Sequence, residues 1–176
     1  MRRADTFFCW HVEDNHLYAT NYVVSGAPKV WYGVPSSSME AMEQVWKAVF
    51  PTLFSRHPDL YYWKTCIFSP FVLAAFGVKV YRAVAEPGSF MFTSPAAYHT
   101  GFNTGFNVAE SSNFAIPEWI EAGRCSTVCM CVPYSVRISM ERFEALLSQF
   151  QEDSPDKDSG YTEWAKAKRR SLELKR

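Results

Sequence analysis

The sequence predicts a mainly β protein, an antiparallel barrel or jelly roll with a helical insert and C-terminal helices. Hydrophobic residues make up 48% of the chain and aromatic residues 16%, which is enough to bury a substantial interior. Short β-prone runs alternate with turns that contain proline and glycine. Apolar residues at helical spacing are confined to the middle and the end of the chain. A length of 176 residues fits one domain.

The first third of the chain predicts two strand regions followed by an amphipathic helix. Residues 6–24 are rich in aromatic and β-branched residues and end at the turn 25–28. Residues 29–34 then read as the next strand. From Met39 to Phe50 apolar residues recur at helical spacing, and Pro51 is expected to stop the helix.

The remainder predicts more short strands and then helices. Proline and glycine separate the strand-like runs, and the last residues are polar, as in a linker or tail. We divide the chain into a core (1–122), a cysteine-containing segment with a helix that completes the domain (123–150), and a polar tail (151–176). The predicted elements are a short helix at 70–76, strands at 78–84, 89–94 and 105–114, and helices at 117–122 and 138–150.

Charge and cysteine content limit the function classes. Lysine plus arginine equals aspartate plus glutamate at 18 each, so no overall basic field is available to hold nucleic acid. Neither a secretory signal nor a membrane span is recognisable. Five cysteines is an odd number, which favours free thiols or a metal in a reducing compartment, nucleus or cytosol, over a disulfide framework.

One constellation points to metal chemistry. His11 and Glu13 are two residues apart, and strand side chains alternate, so both should point into the same cavity. A distant His99 would complete a facial triad of two histidines and one carboxylate, which suits non-haem Fe(II) and leaves three positions for a 2-oxo acid and dioxygen. On these residues alone, a structural core histidine and a surface glutamate remain the more ordinary interpretation.

Five linked segments support the prediction of an iron site, because they resemble motifs of the Jumonji C (JmjC) oxygenase family in order and spacing. The first resembles the family's F-x-W-H-x-E-D motif and the second its L-Y-x-x-N-Y continuation. The resemblance covers most of the chain before the tail and is nearest to histone demethylases that act on trimethyl-lysine. The segments are Phe7–Asp14, Leu17–Tyr22, Gly26–Pro35, Gly88–Pro95 and Tyr98–Phe114.

The resemblance implies a double-stranded β-helix (jelly roll, cupin-like) that binds Fe(II) and the cosubstrate 2-oxoglutarate. His11, Glu13 and His99 would be the iron ligands. Lys29 would pair with the distal carboxylate of 2-oxoglutarate; its plainer interpretation is a solvated turn lysine. The other cosubstrate residues implied are Asn21, Phe8, Trp31 and Thr93.

The implied reaction is hydroxylation of an N-methyl group on a lysine of a histone tail, which places the protein on chromatin in the nucleus. Ser111, Ser112 and Asn113 match positions beside the methyl-lysine pocket, and Lys64 matches a lysine near the iron. A serine pair is also common in strands without a function, and Lys64 could equally be a surface lysine. No membrane partner and no direct nucleic-acid patch are expected.

A structural zinc site is a further expectation. The relatives hold zinc with a cysteine and a histidine from the helical insert and two cysteines of a C-x-C. Here Cys129 and Cys131 supply the C-x-C, but His57 aligns with the cysteine and Trp63 with the histidine. Cys125 is the nearest replacement, so His57, Cys125, Cys129 and Cys131 form the predicted tetrahedral set.

The first iron ligand lies close to Met1, whereas the family supplies strands before it. The sequence is therefore expected to lack the start of the domain, which would leave exposed strand edges. Two alternative functions stay open: a JmjC protein hydroxylase that stops at a stable hydroxylated product, and a catalytically inactive scaffold on chromatin.

Overall fold

The computed structural model describes residues 6–127 and 136–153, and in these ranges seven strands form two antiparallel sheets. The larger sheet has the order β1-β6-β3-β4 and the smaller one the order β5-β2-β7. This architecture confirms the mainly β, jelly-roll prediction. The strands are β1 (Phe7–His11), β2 (Tyr18–Gly26), β3 (Lys29–Gly33), β4 (Tyr81–Ala85), β5 (Phe90–Thr93), β6 (His99–Asn103) and β7 (Asn107–Phe114).

Helices fill the connections and follow the last strand. Among the described residues none of them has the length and apolar character that crossing a membrane requires. The helices are α1 (Met39–Val49), α2 (Pro51–Arg56), α3 (Pro70–Ala75), α4 (Trp119–Cys125) and α5 (Met140–Asp153).

The helical insert packs its apolar face onto the larger sheet. Met42, Val45 and Trp46 of α1 are fully buried, as their helical spacing predicts. They join Trp10 of β1 and Tyr98 in the main core. Burial of two tryptophans and a tyrosine at this point fixes β1 and the start of β6, which carry the two candidate histidines.

Pro51 ends α1 as predicted, yet it also begins a second helix that the sequence analysis did not anticipate. Proline is well suited to the first position of a helix, because its missing N–H has no intrahelical partner there. The insert therefore continues through α2 before the chain returns to the sheets.

β6 is the main difference from the predicted elements. The sequence predicts a strand from Gly105, but in the structure β6 runs from His99 to Asn103 and β7 begins only at Asn107. Glycine and asparagine have low intrinsic β propensity, so the segment gives little local signal. It becomes a strand because β1 and β3 flank it on both sides and supply the hydrogen bonds.

Asn15 links the strands to the C-terminal helices. Its backbone is left-handed, with φ of 52°, a conformation that asparagine tolerates better than most residues. Its carbonyl accepts a 3.0 Å hydrogen bond from the indole of Trp119, and its side-chain oxygen accepts one of 3.1 Å from the backbone N–H of Ile138. The turn that follows Glu13 is thereby fixed to α4 and to the segment before α5. Helix α5 itself ends at Asp153, three residues beyond the predicted helix end at residue 150.

Candidate metal centre and cosubstrate cavity

A cavity of about 600 Å³ opens between the two sheets. Strands β1, β3 and β6 of the larger sheet and β2 and β7 of the smaller sheet all contribute to its wall. It brings together the three predicted metal ligands and most of the predicted cosubstrate residues. The lining residues are Phe7, Phe8, His11, Glu13, Asn21, Lys29, Trp31, His99, Asn103, Ala109 and Ser111.

The three predicted metal ligands converge in this cavity. Ligand atoms of His11, Glu13 and His99 lie within 4.8 Å of one another, and theirs is the only such cluster among the described residues. Glu13 Oε1 is 3.3 Å from His99 Nε2 and 3.7 Å from His11 Nε2. β1 and β6 are neighbouring strands, and His11 lies directly opposite His99. This pairing brings the distant His99 next to His11 and Glu13.

Backbone carbonyls orient both imidazoles. His11 Nδ1 lies 2.8 Å from the carbonyl oxygen of Cys9, and His99 Nδ1 lies 3.0 Å from that of Ala97. A carbonyl oxygen only accepts hydrogen bonds, so each Nδ1 donates to its carbonyl and each ring turns Nε2 toward Glu13. This is the outer support that metal-binding histidines usually have.

The protonation states also suit a metal ion. Burial lowers the pKa of His99 and outweighs the attraction of the Glu13 carboxylate, so the ring is neutral at neutral pH. Burial alone would raise the pKa of Glu13, but its interactions with His11, His99 and Asn113 hold that pKa well below its ordinary value. An ionised carboxylate and a neutral imidazole are the forms that bind metals.

These residues fit a divalent cation such as Fe(II). Two imidazole Nε2 atoms and one carboxylate oxygen face a common point, so a cation placed there would contact all three donor atoms. Two imidazoles with one carboxylate are the donor set of non-haem Fe(II) oxygenases. The site is thus chemically suited to the ion that the sequence predicts.

Lys29 lies in the same cavity, where a network of buried amides holds it. Its Nζ donates a 2.6 Å hydrogen bond to Asn103 Oδ1, and the same oxygen accepts one of 2.9 Å from Asn107 Nδ2. Asn107 also donates to the carbonyl of Ala27 at 3.0 Å, and Asn103 donates to Thr6 Oγ1 at 2.6 Å. The ammonium is therefore placed by the end of β6 and the start of β7.

Asn103 and Asn107 are site residues that the sequence analysis missed. Each ends a Gly-Phe-Asn triplet, and the triplet occurs twice within 101–107. That repeat is a signal that could have drawn attention to them. Their side chains are almost completely buried, at 2% and 0% exposed, and the amide nitrogen of each donates hydrogen bonds within the network.

Phe8 and Trp31, the two predicted apolar walls, both line the cavity. The ring centroids of Phe8 and Trp31 lie 4.8 Å apart, and Trp31 lies 5.9 Å from His99. Asn21 lines the cavity and donates to the carbonyl of Glu110 at 3.2 Å. Thr93 instead lines a smaller neighbouring cavity of about 240 Å³, which shares Trp31 and His99 with the first.

The four predicted substrate-pocket residues divide into two groups. Ser111 lines the cavity, and Asn113 Nδ2 donates a 3.0 Å hydrogen bond to Glu13 Oε2. Ser112 lies between them on β7 and therefore alternates to the opposite face of the strand. Lys64 does not line the cavity; its ammonium pairs with the Asp14 carboxylate at 3.1 Å.

The zinc prediction stays a prediction. Cys129 and Cys131 lie outside the described residues. His57 packs its ring against that of Trp63, with centroids 4.7 Å apart, and Cys125 is an exposed free thiol at the end of α4.

Comparison with known proteins gives a consistent result. A family model described as "JmjC domain, hydroxylase" matches residues 1–114. The chain is 49% identical over 116 residues to lysine-specific demethylase JMJ703 of Oryza sativa subsp. japonica, covering 66% of this chain and 9% of that protein. It is 47% identical over 117 residues to lysine-specific demethylase 5B of Gallus gallus and 46% to lysine-specific demethylase 5D of Homo sapiens, in each case covering 66% of this chain and 8% of the relative.

Proposed function

The chain belongs to the JmjC domain family of hydroxylases, and we propose that it is an Fe(II)- and 2-oxoglutarate-dependent dioxygenase that demethylates a lysine of a histone tail. The observation that carries the proposal is the presence in one cavity of a two-histidine, one-carboxylate cluster and a buried lysine. A short dicarboxylate with a 2-oxo group matches that pair, since one end can chelate a metal and the other can meet an ammonium.

The chain's own residues bind and orient the cosubstrate. Lys29 supplies the charge for the distal carboxylate, and Asn103 holds the ammonium toward the cavity. Phe8 and Trp31 form an apolar wall that excludes water and strengthens the charge interaction. Asn21 presents an amide whose oxygen is buried without a hydrogen-bond partner in the part of the chain described, and this oxygen can accept a bond from a ligand.

His11, Glu13 and His99 would hold the iron. When bound, iron would couple the oxidative decarboxylation of 2-oxoglutarate to the insertion of one oxygen atom into a C–H bond. A hydroxylated N-methyl group leaves as formaldehyde, so the same chemistry yields a demethylated lysine.

The substrate class rests on the relatives and on the cavity rim. The matched relatives are named lysine-specific demethylases, and the chain spans only 8–9% of their length. Small polar side chains, Ser111 and Asn113, lie where a methylated ammonium would approach Glu13. We further propose a nuclear location on chromatin, where such a substrate occurs.

The test is anaerobic reconstitution of the purified protein with Fe(II), followed by addition of 2-oxoglutarate, dioxygen and trimethyl-lysine histone peptides. Succinate and formaldehyde should both form, and mass spectrometry should show loss of methyl groups from the peptide. His99→Ala, which lacks one candidate ligand, should form neither product.

Two other outcomes point to the alternatives. Succinate with a peptide that gains one oxygen atom and keeps its methyl groups would indicate a protein hydroxylase. Absence of both Fe(II) binding and 2-oxoglutarate binding would indicate an inactive scaffold.

A further inference from the structure

We propose that Asn113 is a positioning residue that restrains the Glu13 carboxylate so that only one of its oxygens, Oε1, is available to the metal. This inference rests on the proposed function. The sequence predicted Asn113 only as a residue beside the methyl-lysine pocket, and the inference gives it a role at the metal ligand Glu13. The consequence is that three coordination positions stay open.

The two oxygens of Glu13 have different surroundings. Oε1 faces the Nε2 atoms of His99 and His11, at 3.3 and 3.7 Å. Oε2 accepts the hydrogen bond of 3.0 Å from Asn113 Nδ2. The carboxylate is thus divided into one oxygen that points to the metal position and one that is engaged by a neighbour.

The orientation of the Asn113 amide is determined by its two acceptors. Its nitrogen also lies 3.3 Å from the backbone carbonyl of Tyr18. Rotating the amide by half a turn would place its oxygen against that carbonyl and against the Glu13 carboxylate, so the NH₂ group must face both. Tyr18 is opposite the end of β7 in the sheet register, which holds Asn113 in place.

The hydrogen bond connects the two sheets across the mouth of the cavity. Glu13 follows β1 of the larger sheet, whereas Asn113 belongs to β7 of the smaller sheet. The separation of the sheets therefore sets the rotation of the metal-binding carboxylate. A hydrogen bond to an ionised acceptor is also stronger than one between neutral groups, which makes Asn113 an effective restraint.

The restraint on Glu13 matters because it determines how many coordination positions of the metal remain open. A carboxylate can bind a cation through one oxygen or chelate it through both. With two imidazoles, a chelating glutamate would occupy four of six octahedral positions, and a bidentate 2-oxo acid would occupy the last two. A glutamate bound through one oxygen leaves three positions, as an oxygenase site of this type requires.

The experiment measures ligand geometry and cosubstrate binding, and it does not depend on turnover. The protein would be loaded anaerobically with Co(II), and the oxygens that Glu13 contributes would be determined from a crystal structure together with X-ray absorption at the cobalt edge. Binding of 2-oxoglutarate to the same samples would be measured by calorimetry. The variants are Asn113→Leu, which keeps bulk and removes the donor, and Asn113→Ala; the control is Glu110→Gln on the same strand.

We expect one Glu13 oxygen on cobalt in the wild type and in Glu110→Gln, and two in the Asn113 variants. The variants should bind 2-oxoglutarate with wild-type affinity, because two coordination positions remain, and their Co(II) content should equal that of the wild type. In the 2-oxoglutarate complex the wild type should keep one further coordination position on cobalt, and the Asn113 variants should keep none. Asn113 variants that keep a single Glu13 oxygen on the metal would overturn the inference. If the wild type binds Co(II) but no 2-oxoglutarate, the proposed function is wrong. The number of Glu13 oxygens on cobalt then still tests the role of Asn113 independently.

Discussion

The ammonium of Lys29 donates a 2.6 Å hydrogen bond to the side-chain oxygen of Asn103, and both side chains are buried. The two residues are directly opposite each other in the register of β3 and β6. The contact places a positive charge in the same cavity as the metal ligands. A charge in such a desolvated position interacts more strongly with a carboxylate than one in water.

Lys29→Ala should therefore weaken 2-oxoglutarate binding by roughly 2–5 kcal/mol, the usual effect of removing one partner of a buried charge pair. Calorimetry on Co(II)-loaded protein measures it without turnover. Lys79→Ala is a suitable control, because that lysine lies outside the cavity over the ring of Tyr81. If the wild type and Lys29→Ala bind 2-oxoglutarate with equal affinity, Lys29 does not bind the cosubstrate and has only a structural role.

Asn107→Ala should lower the free energy of unfolding by about 1–3 kcal/mol, because it leaves buried hydrogen-bond partners unsatisfied. Asn107 is fully buried and donates to both Asn103 and Ala27. Thr104→Ala in the same turn removes an exposed hydrogen bond to Pro28 and should cost less. Urea unfolding of both variants makes the comparison, and an equal loss in the two would argue against a special role for the buried amide.

His99→Ala should abolish Fe(II) binding, since only two ligands of the cluster would remain. Metal content after anaerobic loading and desalting gives the measurement. His57→Ala, outside the cluster, should retain the iron. Full iron occupancy in His99→Ala would refute the assignment of the metal centre.

Zinc content offers an independent test of the other predicted metal site. If His57, Cys125, Cys129 and Cys131 bind zinc, one zinc should copurify with the protein, and His57→Ala and Cys125→Ser should each reduce it strongly. Elemental analysis of the three proteins side by side is sufficient. Zinc retained in both variants would exclude this set of four ligands.

The stability of the metal-free protein should decrease as the pH falls below about 6.5, the ordinary pKa of histidine. Burial lowers the pKa of His16, so the unfolded chain takes up a proton at a higher pH than the folded chain does. Stability is then lost progressively as the pH falls from that ordinary value toward the folded one, with a slope of at most about 1.4 kcal/mol per pH unit for one histidine.

His16→Gln should reduce that slope, and the part that remains should come from His99, whose pKa burial also lowers. Urea unfolding at several pH values measures the slope for each protein. The interpretation fails if the variant and the wild type show the same dependence on pH.

Local sequence patterns were sufficient to predict which residues could form the metal centre. The spacing of His11 and Glu13, the ordered motifs up to Phe114 and the helical periodicity of α1 are local properties, and the structure agrees with each of them. Periodicity is readable in sequence because it repeats over a few residues. For the same reason β1, β2, β3 and β7 could be predicted around the site, whereas β6 could not.

The contacts between residues far apart in the chain depend on the tertiary structure. β6 has little strand signal of its own, and it forms because β1 and β3 flank it. The amides that hold Lys29, and the hydrogen bond between Asn113 and Glu13, join residues far apart in the chain. Such contacts depend on sheet register and on the separation of two sheets, and neither quantity is encoded in the spacing of neighbouring residues.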